Sequence, residues 1–422
     1  MRPGTLHLAA LPPLSLYVHL PWCLKKCPYC DFNSYELPGA AKASVVALPR
    51  SGLAGMQAGA EASAIHDGIK SLPVETARAY LAALRADLEA ALPLIWGRPV
   101  VSIFIGGGTP SLFAPEQIEE LISDLRARLP LAAGCEITLE ANPGTFEKDR
   151  FKGFRAAGVT RLSIGVQSFD DTKLKALGRV HSAAQAKAAI AEAAQAFETF
   201  NIDLMYALPE QTLAQLNQEL STALAFEPPH LSVYHLTIEP NTMFATRPPA
   251  DLPDADLASD MLDLISARTA ALAMDRYEVS AFARPGHRCA HNMNYWQFGD
   301  YLGIGAGAHT KLSYPHRVLR QVRWREPAAY MAKAGEGAAV SNENEVSRAE
   351  LPFEFMLNAL RLREGVPLSH YLERTGLPPS SIAKAMEQAR AKGLAELDPA
   401  RIAATPRGFD FLSDLQSLFL TG

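Results

Sequence analysis

Three cysteines crowd into eight residues, Cys23-Leu-Lys-Lys-Cys27-Pro-Tyr-Cys30, and only two others, Cys135 and Cys289, occur in the remaining chain. An odd number of thiols in a long chain argues against a disulfide framework, and crowding of this kind points to metal or redox chemistry. Three thiolates can bind three corners of a four-iron, four-sulfur cluster and leave one iron open, because no cysteine stands where a fourth would close it. Phe32 occupies the position two residues after Cys30. An open iron can chelate a small molecule through amine and carboxylate groups. The competing reading is a zinc site of three cysteines and one histidine, with His19 as a candidate; no second C-x-x-C pair is present to support it. Cys135 and Cys289 read as buried bystanders.

The elements that must position this loop follow a regular rhythm. Leu14–His19 is a short apolar run rich in strand formers. Further strands are predicted at Val100–Ile105, Glu136–Glu140, Arg161–Val166, Ile202–Met205 and Leu231–Leu236. Helices are predicted between and after them, at Glu75–Leu92, Pro115–Leu129, a short helix up to Ala157, Ala183–Phe197, Leu213–Ala225 and Asp256–Met274. Strands alternating with helices imply a parallel sheet, and six such units with right-handed crossovers curl toward a partial barrel. A flat doubly wound sheet is the alternative. The barrel is favoured because all six strands lead into polar or Gly-rich residues at their carboxyl ends, where barrel enzymes build their sites: the cysteine loop, Gly106-Gly107-Gly108-Thr109, Glu140-Ala-Asn142, Gln167-Ser168, Asp203 and Thr237-Ile-Glu239.

These motifs carry a resemblance. The string YVHLPWCLKKCPYCDFNS, with FIGGGTPS, LEANPGT, LSIGVQSF, IDLMYALP and LTIEPNT in order, resembles the radical S-adenosylmethionine superfamily. Within it the chain is similar to the HemN-like branch, which holds oxygen-independent coproporphyrinogen III oxidases and heme chaperones. The resemblance covers nearly all of the chain outside Pro38–Pro73. It implies that Cys23, Cys27 and Cys30 ligate a [4Fe-4S] cluster, and that Tyr17 and Phe32 flank S-adenosylmethionine. It also implies that Gly107, Gly108 and Thr109 let backbone approach that cofactor's methionyl end, while Glu140, Gln167, Arg179 and Asp203 contact its polar groups.

Two departures from the oxidases stand out. Their fourth cysteine is Phe32 here, and their longer N-terminal extension is reduced to about a dozen residues before the first strand. His291-Asn292-Met293-Asn294-Tyr295-Trp296 instead matches the HNxxYW motif of the heme-chaperone members. By that resemblance His291, Tyr295 and Trp296 are expected to hold heme, with Cys289 and His309 as rival ligands. The function expected is binding of heme, a cluster and S-adenosylmethionine, with transfer of heme to apo-proteins, respiratory enzymes at the membrane among them. The alternative is oxidative decarboxylation of coproporphyrinogen III. The run Gly303–His309 is weak evidence for phosphate binding, because no strand–helix frame surrounds it.

Domain expectations follow. Residues 1–37 and 74–300 should form the barrel, with 38–73 a flexible insertion, 301–350 a connecting segment and 351–422 a C-terminal winged-helix-like α+β domain. Helices are expected there at Phe353–Leu362 and Ser380–Lys392, with a hairpin pairing Gly393–Leu397 and Arg401–Thr405. Composition excludes other classes. The chain has 422 residues, 48% hydrophobic, 20% charged, with a formal net charge of −5. It can build a large core, so disorder is excluded, and it offers no global basic field for nucleic acid. No apolar run reaches the roughly 18 residues of a membrane helix. The N-terminus MRPGTLHLAALPP lacks the apolar segment of a secretion signal, so a cytoplasmic protein is expected.

Overall fold

The computed structural model describes residues 6–37, 71–145 and 149–420. All of the expected insertion except its last residues, 71–73, lies outside them.

Twelve strands form one sheet. In chain order they are β1 (Leu14–Leu20), β2 (Val100–Gly107), β3 (Leu131–Ala141), β4 (Arg161–Gln167), β5 (Thr199–Tyr206), β6 (His230–His235), β7 (Asp275–Arg276), β8 (Ala281–Ala283), β9 (Asp300–Ile304), β10 (His309–Tyr314), β11 (Arg317–Arg323) and β12 (Val340–Glu345). Their spatial order is β12-β11-β10-β9-β1-β2-β3-β4-β5-β6-β8-β7. Seven consecutive strands, β9 to β6, are parallel; the outer ones are antiparallel. The six expected strands are therefore present, and β9 adds a seventh by pairing with β1 in the register Leu16↔Leu302.

Side-chain alternation explains the sheet's two faces. In β4, Leu162 and Ile164 are buried on the helix side, while Arg161, Ser163, Gly165 and Gln167 line a cavity on the other. β5 repeats this with Ile202 and Leu204 against Asn201, Asp203 and Met205, and β6 with Leu231 and Val233 against His230, Ser232 and Tyr234. Period-two alternation sends the apolar set to the covering helices and the polar set inward. Because one cavity is lined from β2 through β6, the sheet wraps around it as a partial barrel.

The helices cover the outside. Helix Val74–Ile95 buries Leu81, Leu84 and Leu88 as its spacing predicts, but also Tyr80 and Asp87. Helix Pro327–Gly335 packs against it. The stretch 301–350, expected as a connector, thus carries the end of β9, strands β10–β12 and this helix, and extends the sheet. Beyond it a second core gathers Phe355, Met356, Tyr371, Ile402 and Phe409 with Leu6 and Leu8. Helices run over Leu351–Ala359 and Ala383–Ala391. The expected hairpin is present in short form: Ala395 bridges Ala404, the Glu396 amide donates to the Ala403 carbonyl and the Thr405 amide to the Leu394 carbonyl, 3.0 Å each, while Arg401–Ile402 pairs in addition with Val366–Pro367.

Candidate functional site

The cysteine loop leaves β1 and is fastened from three sides. His19 donates from Nε2 to the Asn33 carbonyl at 2.8 Å and accepts from the Tyr17 hydroxyl at Nδ1, 2.9 Å. Burial lowers the pKa of this imidazole to about 4, so the neutral ring holds one tautomer. Asn33 sends its amide to the carbonyls of Ala306 and Arg325, 2.9 Å each. Gly307 (φ +75°) admits that side chain, and a Cβ there would stand 2.4 Å from Asn33 Nδ2. Gly305 likewise meets the His19 carbonyl. The glycine run after β9 therefore seats the cysteine loop.

The Gly106-Gly107-Gly108 turn has a related cause. A Cβ on Gly108 would lie 2.6 Å from the Trp22 carbonyl oxygen, and one on Gly107 2.8 Å from the His19 ring. What the glycines admit closely is this chain's own loop, while Gly107, Gly108 and Thr109 still line the cavity. Thr109 donates to the Trp22 carbonyl through its amide, fixing Cys23 beside it.

Each of the three sulfurs has one polar side-chain neighbour. Thr109 Oγ1 donates to Cys23 Sγ at 3.6 Å, Arg179 Nη1 to Cys27 Sγ at 3.7 Å, and the Ser34 hydroxyl lies 3.8 Å from Cys30 Sγ. Arg179 spends its other terminal nitrogen on the Gly165 carbonyl at 2.7 Å, and Gly178 lets its segment press against Pro28. Burial raises the Cys23 thiol to about 11 and also raises Cys30, a cost that a bound metal would offset by taking the thiolates.

The cavity holds about 440 Å³. Its upper wall carries the three cysteines, Phe32, Gly107, Gly108 and Thr109, and its sides carry Glu140, Gln167, Arg179 and Asp203. Gln167 sits at a bulge closing β4, with φ +68°. Glu140 accepts from the Gly107 amide at 3.0 Å, yet burial and nearby Asp203 raise its pKa to about 8. Asp203 is also raised by burial, although Asn201 and Ser163 hold its oxygens at 2.8 and 3.0 Å. Two crowded acids facing one space fit a cationic ligand such as a sulfonium or ammonium group.

Tyr17 is not among the lining residues; its ring stacks on Phe104, 6.3 Å between centroids, and Phe104 forms the wall. Nor does the structure bring His291, Tyr295 and Trp296 to the cavity. His291 is 4% exposed, 3.4 Å from the Ser102 hydroxyl and packed on Phe104 and Tyr295. Tyr295 stacks on Tyr301 at 4.2 Å, and Arg361 lies 4.2 Å above the Trp296 ring. From this helix, Ala290–Trp296, and its cap, the cavity receives Asn292 and Cys289. His309 opens β10 as an exposed residue. Arg161, Ser163, Asn201, His230 and Ser232 were not singled out from sequence. The signal was present in the alternation of RLSIGVQ, which puts Arg161 and Ser163 in phase with Gln167.

Comparison with known proteins identifies the family. Residues 17–221 match the radical SAM superfamily, and residues 346–411 the HemN C-terminal domain. Heme chaperone HemW of Escherichia coli (strain K12) is 42% identical over 415 residues, 98% of this chain and 100% of that protein. The chain belongs to the HemW family of radical SAM proteins. Heme chaperone HemW of Haemophilus influenzae is 42% identical over 413 residues, covering 97% of this chain and 99% of the relative. The Mycobacterium tuberculosis relative of the same name is 33% identical over 408 residues. The structure of coproporphyrinogen III oxidase (HemN) from Escherichia coli shares the fold: TM-score 0.75, 24% identity, covering 97% of this chain and 91% of that one. The superfamily's cofactors are a [4Fe-4S] cluster and S-adenosylmethionine. The donor set fits both, with three thiols on one loop above a cavity whose walls hold two crowded carboxyls, both raised by burial.

Proposed function

We propose that this protein is a heme chaperone: it binds heme and passes it to acceptor apo-proteins, respiratory enzymes at the membrane among them, from the cytoplasm. One observation carries the reading, the 42% identity to a heme chaperone along the whole of both chains. The likeness to the oxidase, at 24% identity, is one of fold. Among the described residues no helix is long and apolar enough to cross a membrane.

Cys23, Cys27 and Cys30 would hold the cluster, which when loaded supplies one-electron chemistry to S-adenosylmethionine. The chain's own part is positional. Thr109, Arg179 and Ser34 place donors beside the three sulfurs, and such contacts stabilise thiolate charge. Glu140 and Asp203 face the cavity to meet the cofactor's cationic groups. Phe32, 60% exposed at the rim, covers the loop side with an apolar face where the oxidases would carry a thiol.

The test is titration of the anaerobic, cluster-loaded protein with heme, followed by mixing with an apo-cytochrome. A Soret band that moves to the acceptor is expected. Decarboxylation of coproporphyrinogen III to a divinyl porphyrinogen under reducing conditions, without heme transfer, would overturn the reading in favour of the oxidase.

A further inference from the structure

Arg161 opens β4 at the end of the barrel away from the cysteine loop, and it is 2% exposed. It nevertheless lines the cavity. Its Nε and Nη2 have no hydrogen-bond partner among the described residues, and its nearest acid, Glu136, stands 3.9 Å from Nε. Glu136 is itself engaged: Oε1 accepts from the Ala290 amide at 3.0 Å and lies 3.6 Å from Cys289 Sγ. Buried guanidinium N–H groups without partners are costly, so their retention on a cavity wall marks a place that a ligand completes.

The other polar groups of this floor are already committed. His230 donates to Asn201 at 2.6 Å and accepts from Tyr277 at 2.9 Å, and burial keeps it neutral. Asp203 is held by Asn201 and Ser163. Cys289 is a neutral thiol, raised to about 11 by burial. Arg179, the other arginine on the cavity, spends both terminal nitrogens at the rim and leaves its Nε without a partner among the described residues, whereas Arg161 leaves a terminal nitrogen idle as well. Asn292 enters the floor from the HNxxYW helix, so the residue of that motif that faces the cavity is its asparagine.

We propose that Arg161 and Asn292 form a carboxylate-binding subsite on the cavity floor. A planar guanidinium matches a carboxylate through two parallel N–H donors, and an amide adds a third. Within the function proposed above, heme presents that group through its propionates, whereas the amino-acid end of S-adenosylmethionine belongs at the cysteine loop on the opposite wall; the inference rests on the heme reading.

The full chain, cluster-loaded and anaerobic, is titrated with heme, with heme dimethyl ester and with S-adenosylmethionine, as wild type, Arg161→Gln, Arg161→Lys and Asn292→Ala. Loss of the guanidinium should weaken the carboxylate-bearing ligand roughly ten- to a hundredfold, with Lys partly restoring it and Asn292→Ala giving a smaller loss. The wild type should bind the diester as weakly as Arg161→Gln binds heme. A fall in S-adenosylmethionine affinity with heme's unchanged would overturn the subsite. Unchanged affinity of Arg161→Gln for both ligands, at wild-type iron content, overturns the subsite. Failure of the wild type to bind heme would instead overturn the functional reading, and the subsite with it. On wild type alone the diester should bind roughly ten- to a hundredfold more weakly than heme, and equal binding of the two would overturn the subsite even if Arg161→Gln misfolds.

Discussion

Charge is buried on both sides of β1, to opposite ends. Toward β9–β12, Lys311 and Asp300 are 1% and 0% exposed and fully engaged. Lys311 Nζ reaches Asp300 at 3.0 Å and the Phe298 carbonyl at 2.9 Å, while Asp300 also takes the Ser313 amide and Arg98. Asp87 is similarly closed by Arg323, Tyr330 and the Gly305 amide. Toward β2–β6, Arg161 keeps idle donors, and Glu140 has one amide partner and holds its proton to about 8. Saturated networks hold structure, because every group is paired and desolvation is repaid. Unsaturated ones are tolerated where a ligand finishes them.

The sharpest way to break this contrast is at Asp300. Asp300→Ala leaves Lys311 charged and unpaired in the core, and should cost about 3–5 kcal/mol. Urea unfolding would show this as a lowered midpoint at unchanged slope; a loss under about 1 kcal/mol would put Asp300 among the weak surface pairs. Glu140→Gln should act the other way. A carboxyl raised to about 8 from its ordinary 4.5 binds more protons folded than unfolded. Stability of the ligand-free protein therefore falls as pH rises through that window, by at most about 1.4 kcal/mol per pH unit. The Gln variant should be flatter there and no less stable at the alkaline end. Binding of S-adenosylmethionine to wild type should release a proton, since a nearby cation favours carboxylate, and calorimetry in buffers of different ionisation enthalpy would detect it. A third, smaller effect belongs to Thr109→Val. Removing the donor on Cys23 Sγ should lower the cluster's reduction potential, on the order of tens of millivolts, with iron content unchanged. An equal shift from a Thr310 substitution, made in the saturated region, would erase the distinction.

Much of this was legible beforehand because it is periodic or local. Alternation in LSIGVQ and the leucine spacing of 81, 84 and 88 depend on neighbours a few residues away, and the three thiols sit on one loop. β9 escaped notice because Asp300-Tyr-Leu-Gly-Ile begins with a charge and contains glycine, features that suit a turn until Lys311 and β1 supply their partners. The Gly305–Gly307 run could not be assigned, since its reason is a side chain 274 positions earlier in the chain, if Asn33 is counted to Gly307. Arg161 is a similar case: its setting is made by β3, β5 and the helix at Ala290, three separate stretches. The side of the HNxxYW helix that meets the cavity was not legible either, because helix phase turns His291 onto Phe104 and leaves Asn292 to line the cavity.

Asn33 has a consequence for biogenesis. The loop bearing the three thiols is among the first parts of the chain to be synthesised, but its anchors, the carbonyls of Ala306 and Arg325, are translated roughly 270 and 290 residues later. A ribosome-bound fragment that stops short of them has the sulfurs without their seat. Any step that depends on the seated loop therefore follows, rather than accompanies, synthesis of most of the polypeptide.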